Sequence, residues 1–202
     1  MIYFGWDIST SFIGCCCMKQ DESVVLIESI DLSCIDGGIL EKFLSAEERV
    51  VDFIRRAREI IGPSPEIHCV EQRLKNMVGK TNKDTLLSLA SINAVVSHVI
   101  IKECARNTKA LRYLYPTEVK RIVGLKVPKG ADKKSLTVDF VRAIFPGFPF
   151  ALNRGGVNPV KGTFDMADAY VTALASVRSL EQAEKDIPAH KSARQTRTRK
   201  TR

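Results

Sequence analysis

Along the chain, runs of apolar residues alternate with polar breaks in a pattern that mixes strands and helices. Residues 2–8 are almost all apolar or Gly, which suits a strand covered on both faces, and one carboxylate, Asp7, interrupts the run. Ser9, Thr10 and Ser11 predict a turn. Residues 13–18 and 24–30, around the Gln20-Asp21-Glu22 turn, predict a second and third strand, so the chain opens with an antiparallel meander. Asp36-Gly37-Gly38 breaks it. Phe43, Leu44, Val50, Val51, Phe53, Ile54 and Ile60 then recur at helical spacing over residues 40–61, and Gly62-Pro63 ends that helix. Residues 66–70 form a short apolar strand that runs into a second carboxylate, Glu71.

Residues 72–82 turn polar and basic, with Arg73, Lys75, Lys80 and nearby Lys83 around Gly79, and predict a loop. Residues 84–104 are apolar nearly all round, as expected of a helix central to the core or to a dimer interface. A strand over 111–115, a short helix from Pro116 to near Gly124, a helix over 132–145 and a last helix over 164–184 complete the pattern. Between them lie a basic stretch, 126–134, and a Gly-, Pro- and Asn-rich loop, 147–162, holding Arg154 and Lys161. This order makes an α/β chain.

At 202 residues the chain fits one domain with a full core, residues 1–186, followed by a tail over 187–202. The net charge of +8 is unevenly spread: Lys191, Arg194, Arg197, Arg199, Lys200 and Arg202 supply +6 in the last fourteen residues, which contain no acid. Such a tail has too little apolar surface to fold alone and favours a polyanion such as DNA or RNA. No uninterrupted apolar run reaches the ~18–20 residues of a membrane span and no basic leader precedes the first strand, so an intracellular protein with no membrane partner is expected. The six cysteines, Cys15, Cys16, Cys17, Cys34, Cys69 and Cys104, form no CxxC pair. They are expected to be small buried hydrophobes in a reducing compartment rather than disulfides or zinc ligands.

The last helix begins with Asp165 and Asp168, three apart and therefore on nearly one face. The apolar face runs through Met166, Ala167, Tyr170, Val171, Ala173, Leu174 and Val177; the aspartates share the other stripe with small residues, Thr172, Ala175, Ser176 and Ser179. A solvated face would carry Lys, Glu or Arg, so a confined polar site is expected there. Each acid alone has a bland explanation. Acids in a first helical turn favour the macrodipole by about 0.3–1 kcal/mol, Asp7 could cap a turn, and Glu71 could pair with a buried Arg. Taken together, two strand-terminal acids and a helical pair converge only if a shared ligand offsets their mutual repulsion. Oxygen donors without Cys or His suit Mg²⁺ or Mn²⁺. Two such ions, about 3.5–4 Å apart, would activate water and stabilise the leaving oxygen of a phosphodiester, which is nuclease chemistry.

Three stretches carry a family resemblance: Gly5-Trp6-Asp7 with Ser9, Val70-Glu71-Gln72, and Asp165-Met166-Ala167-Asp168-Ala169. In this order and at these separations, residues 1–184 resemble the RuvC-type Holliday junction resolvases of the ribonuclease H-like superfamily. The resemblance implies a five-stranded mixed sheet, a three-strand antiparallel meander plus two parallel strands, flanked by helices. It implies that Asp7, Glu71, Asp165 and Asp168 bind the metal ions and that the protein is a homodimer nicking a four-way DNA junction symmetrically. It further implies that a basic residue of the helix before the last, Lys133 or Lys134, assists at the scissile phosphate. Where bacterial members carry a wedging aromatic three positions after the second acid, this chain has Leu74, an apolar residue that can still wedge. Arg73, Leu74, Lys75, Lys80, Lys83, Lys129, Arg154 and Lys161 are the expected DNA contacts.

Three other readings compete. A flap, branched-DNA or RNA-cleaving nuclease of the same superfamily would keep the acids and change the substrate. A catalytically silent nucleic-acid-binding module would lack an acid, and none is lacking. An actin-like sugar kinase would need two domains and a second phosphate loop, for which 202 residues leave no room.

Overall fold

The computed structural model describes residues 1–72, 82–104, 107–156 and 158–185, without the side chains of 181–185. The expected loop residues Arg73, Leu74, Lys75 and Lys80 and the basic tail lie outside the described residues. Five strands, β1 (Ile2–Ile8), β2 (Phe12–Lys19), β3 (Val24–Asp31), β4 (Glu66–Glu71) and β5 (Leu111–Leu114), form one sheet in the order β3-β2-β1-β4-β5. β1, β2 and β3 pair antiparallel; β4 runs parallel to β1 and β5 parallel to β4. The helices are α1 (Ile39–Ile61), α2 (Lys83–Glu103), α3 (Pro116–Val123), α4 (Lys133–Ile144) and α5 (Thr163–Lys185). The expected mixed sheet, a three-strand meander plus two parallel strands, is what forms.

Because β1 is central, its alternate side chains feed two cores. Ile2, Phe4, Trp6 and Ile8 join Val50, Phe53 and Ile54 of α1 and Ile92, Val96 and Ile100 of α2 on one face. Tyr3 points the other way, into a core made with Val119 of α3, Val138 and Val141 of α4, and Tyr170, Val171 and Leu174 of α5. Burial on both faces explains why β1 reads as a continuous apolar run. Cys15, Cys16, Cys17 and Cys69 are buried as expected, and burial pushes the thiols of Cys17 and Cys69 up to about 12. The other two depart from that expectation: Cys104 is half-buried and Cys34 is exposed.

In two helices the structure is more specific than the sequence expectation. α2 is not buried all round: Leu89, Ile92, Val96, Val99 and Ile100 face the core, whereas Leu87 and Ala94 are exposed. By length and composition it could cross a membrane; a third of its apolar stretch is buried here, where it packs on α1, β1 and β5. In α5 the stripe of small residues is no wet face. Thr172, Ala175 and Ser176 are as buried as the apolar side, because this helix lies directly on the sheet. A Cβ on Gly5 would coincide with the Ala169 carbonyl oxygen and the Ala173 amide nitrogen, and one on Gly14 with the Asp165 carbonyl. Small residues on the helix and Gly on the strands let the two backbones touch.

At the end of the sheet where β1 and β4 begin, a polar network crosses the first core. Trp6 Nε1 donates to His68 Nδ1 (3.2 Å), so the other ring nitrogen, Nε2, carries the proton and donates to Glu66 Oε2 (3.2 Å). Arg58 forks onto Glu66 (2.6 and 2.8 Å) and reaches Glu103 (3.1 Å). Burial holds His68 below its usual value and therefore neutral. Burial alone would raise Glu66, but the hydrogen bonds from Arg58 and His68, with the Arg58 charge, outweigh it and bring the carboxyl to about 2.

Two predictions follow from these contacts. Gly5→Ala drives a methyl into the α5 backbone and should cost about 3 kcal/mol, the upper part of the usual overpacking range, read as the shift in urea-unfolding midpoint. Stability should also fall with acid. The neutral His68 contributes above the unfolded-state value of 6.5, and ionised Glu66 above 4.5; each contribution is lost as pH drops toward the lower folded value. Arg58→Met should cost about 1–3 kcal/mol at neutral pH and flatten the part of the decline below pH 4.5, measured by denaturation across a pH series.

Candidate active site

Strand register and the seating of α5 place the backbones of the four acids picked out in the sequence toward the end of the sheet where β1 and β4 finish. In the parallel ladder Trp6 aligns with Val70, so one step further Asp7 stands beside Glu71, on strands about 4.8 Å apart. Strand alternation sends both side chains to the α5 face, since Trp6 and Val70 belong to the opposite core. Asp7 also pairs with Gly14 of β2, and Gly14 is the residue on which the Asp165 backbone rests. Asp168 precedes Ala169, whose carbonyl lies on Gly5, two positions before Asp7. The first turn of α5 is thereby laid across the ends of β1 and β2. Asp7, Glu71 and Asp168 are 1%, 4% and 8% exposed; Asp165 is half-buried.

Local structure holds this arrangement. Just beyond Asp7, Ser9 Oγ accepts from the Phe12 amide (2.9 Å) and donates to the Phe12 carbonyl (2.8 Å), closing the β1–β2 turn. Gly162, at φ +85°, turns the chain into α5, and its carbonyl accepts from Met166 N (2.9 Å). Farther along α5, Arg178 forks onto Glu22 in the β2–β3 turn (2.7 and 2.9 Å) and reaches the Val123 carbonyl (3.2 Å), tying the helix to the meander and to α3.

Burying three carboxylates at one place is costly unless positive charge meets them. The donors are oxygen atoms alone, the chemistry of Mg²⁺ and Mn²⁺ rather than zinc, so this residue set fits the cation its pattern implied. A second group of metal-type side chains, Glu66, His68 and Cys104, lies at the opposite end of the sheet with its ligand atoms within 4.8 Å of one another. It fits a cation poorly. Both His68 nitrogens are engaged, Arg58 already neutralises Glu66, and burial pushes the Cys104 thiol up to about 11.

The basic candidates are placed as follows. Lys133 and Lys134 open α4, whose N-cap Asp132 accepts from Lys134 N (3.1 Å). The Lys134 ammonium lies over the Phe164 ring, 5.5 Å from its centroid, next in sequence to Asp165. Lys161 is exposed just before α5 and contributes, behind the Ser33 hydrogen bonds, to holding the Asp31 carboxyl below its usual value. Lys83 is the exposed first residue of α2, and Lys129 and Arg154 are exposed on loops. Sequence reasoning missed the structural part played by Gly14 and Phe164. The small residues at 14, 169 and 173 were the available signal for the first, and nothing along the chain pointed to the second.

No protein-family model and no curated protein sequence matches the chain. Among solved structures, Thermus thermophilus RuvC matches with a TM-score of 0.61 at 16% identity, over 91% of this chain and 97% of that one. The same protein, described as RuvC in complex with a Holliday junction substrate, matches with a TM-score of 0.61 at 15% identity, over 90% of this chain and 96% of that one. At this identity the likeness is one of architecture, and over nine-tenths of its length the chain has the ribonuclease H-like fold of RuvC.

Proposed function

We propose that the protein is a structure-selective endonuclease that resolves four-way DNA junctions by paired symmetric nicks, with a role in recombination and repair. One observation supports this reading: β1, β4 and α5 each carry acids toward the same end of a RuvC-like sheet, and Asp7, Glu71 and Asp168 are nearly buried there. Asp7, Glu71, Asp165 and Asp168 would hold two Mg²⁺ ions per site, with Mn²⁺ able to substitute. Bound there, the ions supply water activation and charge neutralisation at the phosphodiester. The chain's own residues do the rest. Glu71 and Asp7 are fixed by strand register, and Asp165 and Asp168 by the seating of α5, so the donors are preorganised before substrate arrives.

DNA is the substrate that the surroundings favour. Lys83, Lys161 and the start of α4 lie at the acid-bearing end of the fold, and Lys129 and Arg154 extend the exposed basic surface. In sequence, Arg73, Leu74, Lys75 and Lys80 follow Glu71 closely, and Leu74 would be suited to wedge between bases; the basic tail would add phosphate contacts. Paired nicks need two active sites, hence a homodimer. Leu40 and Leu44 of α1 and Leu87 of α2, all about two-thirds exposed, are apolar side chains such an interface would cover. Unpaired cysteines suit a reducing, intracellular setting.

Cation binding is read without DNA. Mg²⁺ or Mn²⁺ should raise the melting temperature of the parent protein, because a ligand that binds the folded state stabilises it; Asp168→Asn should lose most of that rise. Equal rises in both would count against a shared site. Catalysis is read on synthetic substrates: a four-way junction should be nicked in preference to a flap or an RNA:DNA hybrid. Asp7→Asn should lower nicking by about 10³-fold or more while leaving junction binding in a gel-shift assay intact. Preferential cutting of the flap or the hybrid would transfer the activity to that substrate, and undiminished cutting by Asp7→Asn would remove the acids from the mechanism.

A further inference from the structure

Which of two adjacent lysines serves the acidic site is decided by helix geometry and by one aromatic ring. The buried side of α4 is made by Thr137, Val138 and Val141. At about 100° per residue, Lys134 projects near the midline of that side, toward α5, whereas Lys133 stands about 90° away, at its rim. Position alone gives Lys134 an orientation but no fixed ammonium, since a lysine side chain carries four rotatable bonds and loses entropy when held. A lysine in the first turn of a helix is also repelled by the macrodipole, so its charge gains by extending away from the helix end. The ring of Phe164 gives it a place to rest: the Lys134 Nζ sits 5.5 Å from the ring centroid, within the range of a cation–π contact. Phe164 directly precedes Asp165, and the Asp165 backbone is seated against Gly14, the cross-strand neighbour of Asp7.

We infer that Phe164 is a positioning residue: its ring holds the ammonium of Lys134, and not that of Lys133, beside the carboxylate site, where it meets a phosphate of the bound strand. The assignment rests on the nuclease reading for the role of Lys134 and stands on the side-chain geometry for the contact itself. Phe164 is half-buried rather than sealed in the core, so its face remains available to the lysine. The ring contributes orientation and no chemistry. Its loss leaves Lys134 charged but spread over many rotamers.

The contact is tested apart from activity by labelling lysine side chains with ¹³C at the ε position. Lys134, assigned through Lys134→Gln, should show an ε-methylene proton resonance shifted upfield by the ring, and Phe164→Leu should abolish the shift. Absence of that shift in the parent overturns the contact. Its role is tested by single-turnover nicking of a four-way junction with metal present. Phe164→Leu should slow cleavage roughly two- to fivefold, the rate equivalent of an exposed to partly buried cation–π contact, with junction affinity unchanged. Phe164→Tyr should restore the rate. Lys134→Gln should slow cleavage more than Lys133→Gln does, and adding Phe164→Leu to Lys134→Gln should cost nothing further. An equal loss from Phe164→Leu with and without Lys134 makes the ring merely structural and overturns the positioning role. A parent protein that shows the upfield shift yet nicks no branched DNA overturns the nuclease reading, and the positioning role with it, while the contact stands.

Discussion

The structure depends on how closely α5 approaches the middle of the sheet. A helix normally rides on a sheet with a layer of side chains between them, but here the backbone of α5 meets that of β1 at Gly5 and that of β2 at Gly14. Two acids of the helix and one of the strand are thereby drawn to the same level. A side chain at either glycine would lift the helix and separate Asp165 and Asp168 from Asp7. The small residues Ala169 and Ala173, which meet Gly5, are the other half of the same fit, and their burial shows that close packing rather than solvation selects them.

The two ends of the central strand pair solve the problem of buried polarity differently. Where β4 begins, His68 and Glu66 are satisfied within the chain: Trp6 supplies a donor, Arg58 supplies a charge, and the histidine stays neutral. Such a network is complete, so it specifies one arrangement and offers nothing to a ligand. Toward the end where β1 and β4 finish, the acidic groups come from three elements, and Asp7, Glu71 and Asp168 are buried. Ligand-type residues alone would have nominated both ends.

Much of this was legible along the chain. The continuous apolar run of β1 gave a strand buried on both faces, and Asp7 and Glu71 stood out because each ended such a strand. Asp165 and Asp168 stood out through their helical spacing. The sparse charge along α5 was read as a confined site for its aspartates, and Asp168 is buried; that Thr172, Ala175 and Ser176 would be buried as fully as the apolar side was not foreseen. The nearly all-round apolar α2 was assigned to the core or to a dimer interface without a choice between them; one side faces the core, and Leu87 and Ala94 are exposed. In both helices composition was read correctly and the neighbour was left open, because a pattern of residue types does not say which surface will meet it.

By itself the sequence determined the element order, the strands that must be buried, and which carboxylates stand out in apolar surroundings, since these follow from local periodicity and from the cost of placing a carboxylate in an apolar run. Tertiary structure alone decided that β4 takes its place beside β1 in the register that sets Glu71 next to Asp7. It also decided that α5 sinks onto two glycines, and that Lys134 rather than Lys133 turns toward Phe164. These are contacts between segments tens to more than a hundred residues apart, fixed by backbone approach and ring placement, and no local pattern encodes the distance between groups that only folding brings together.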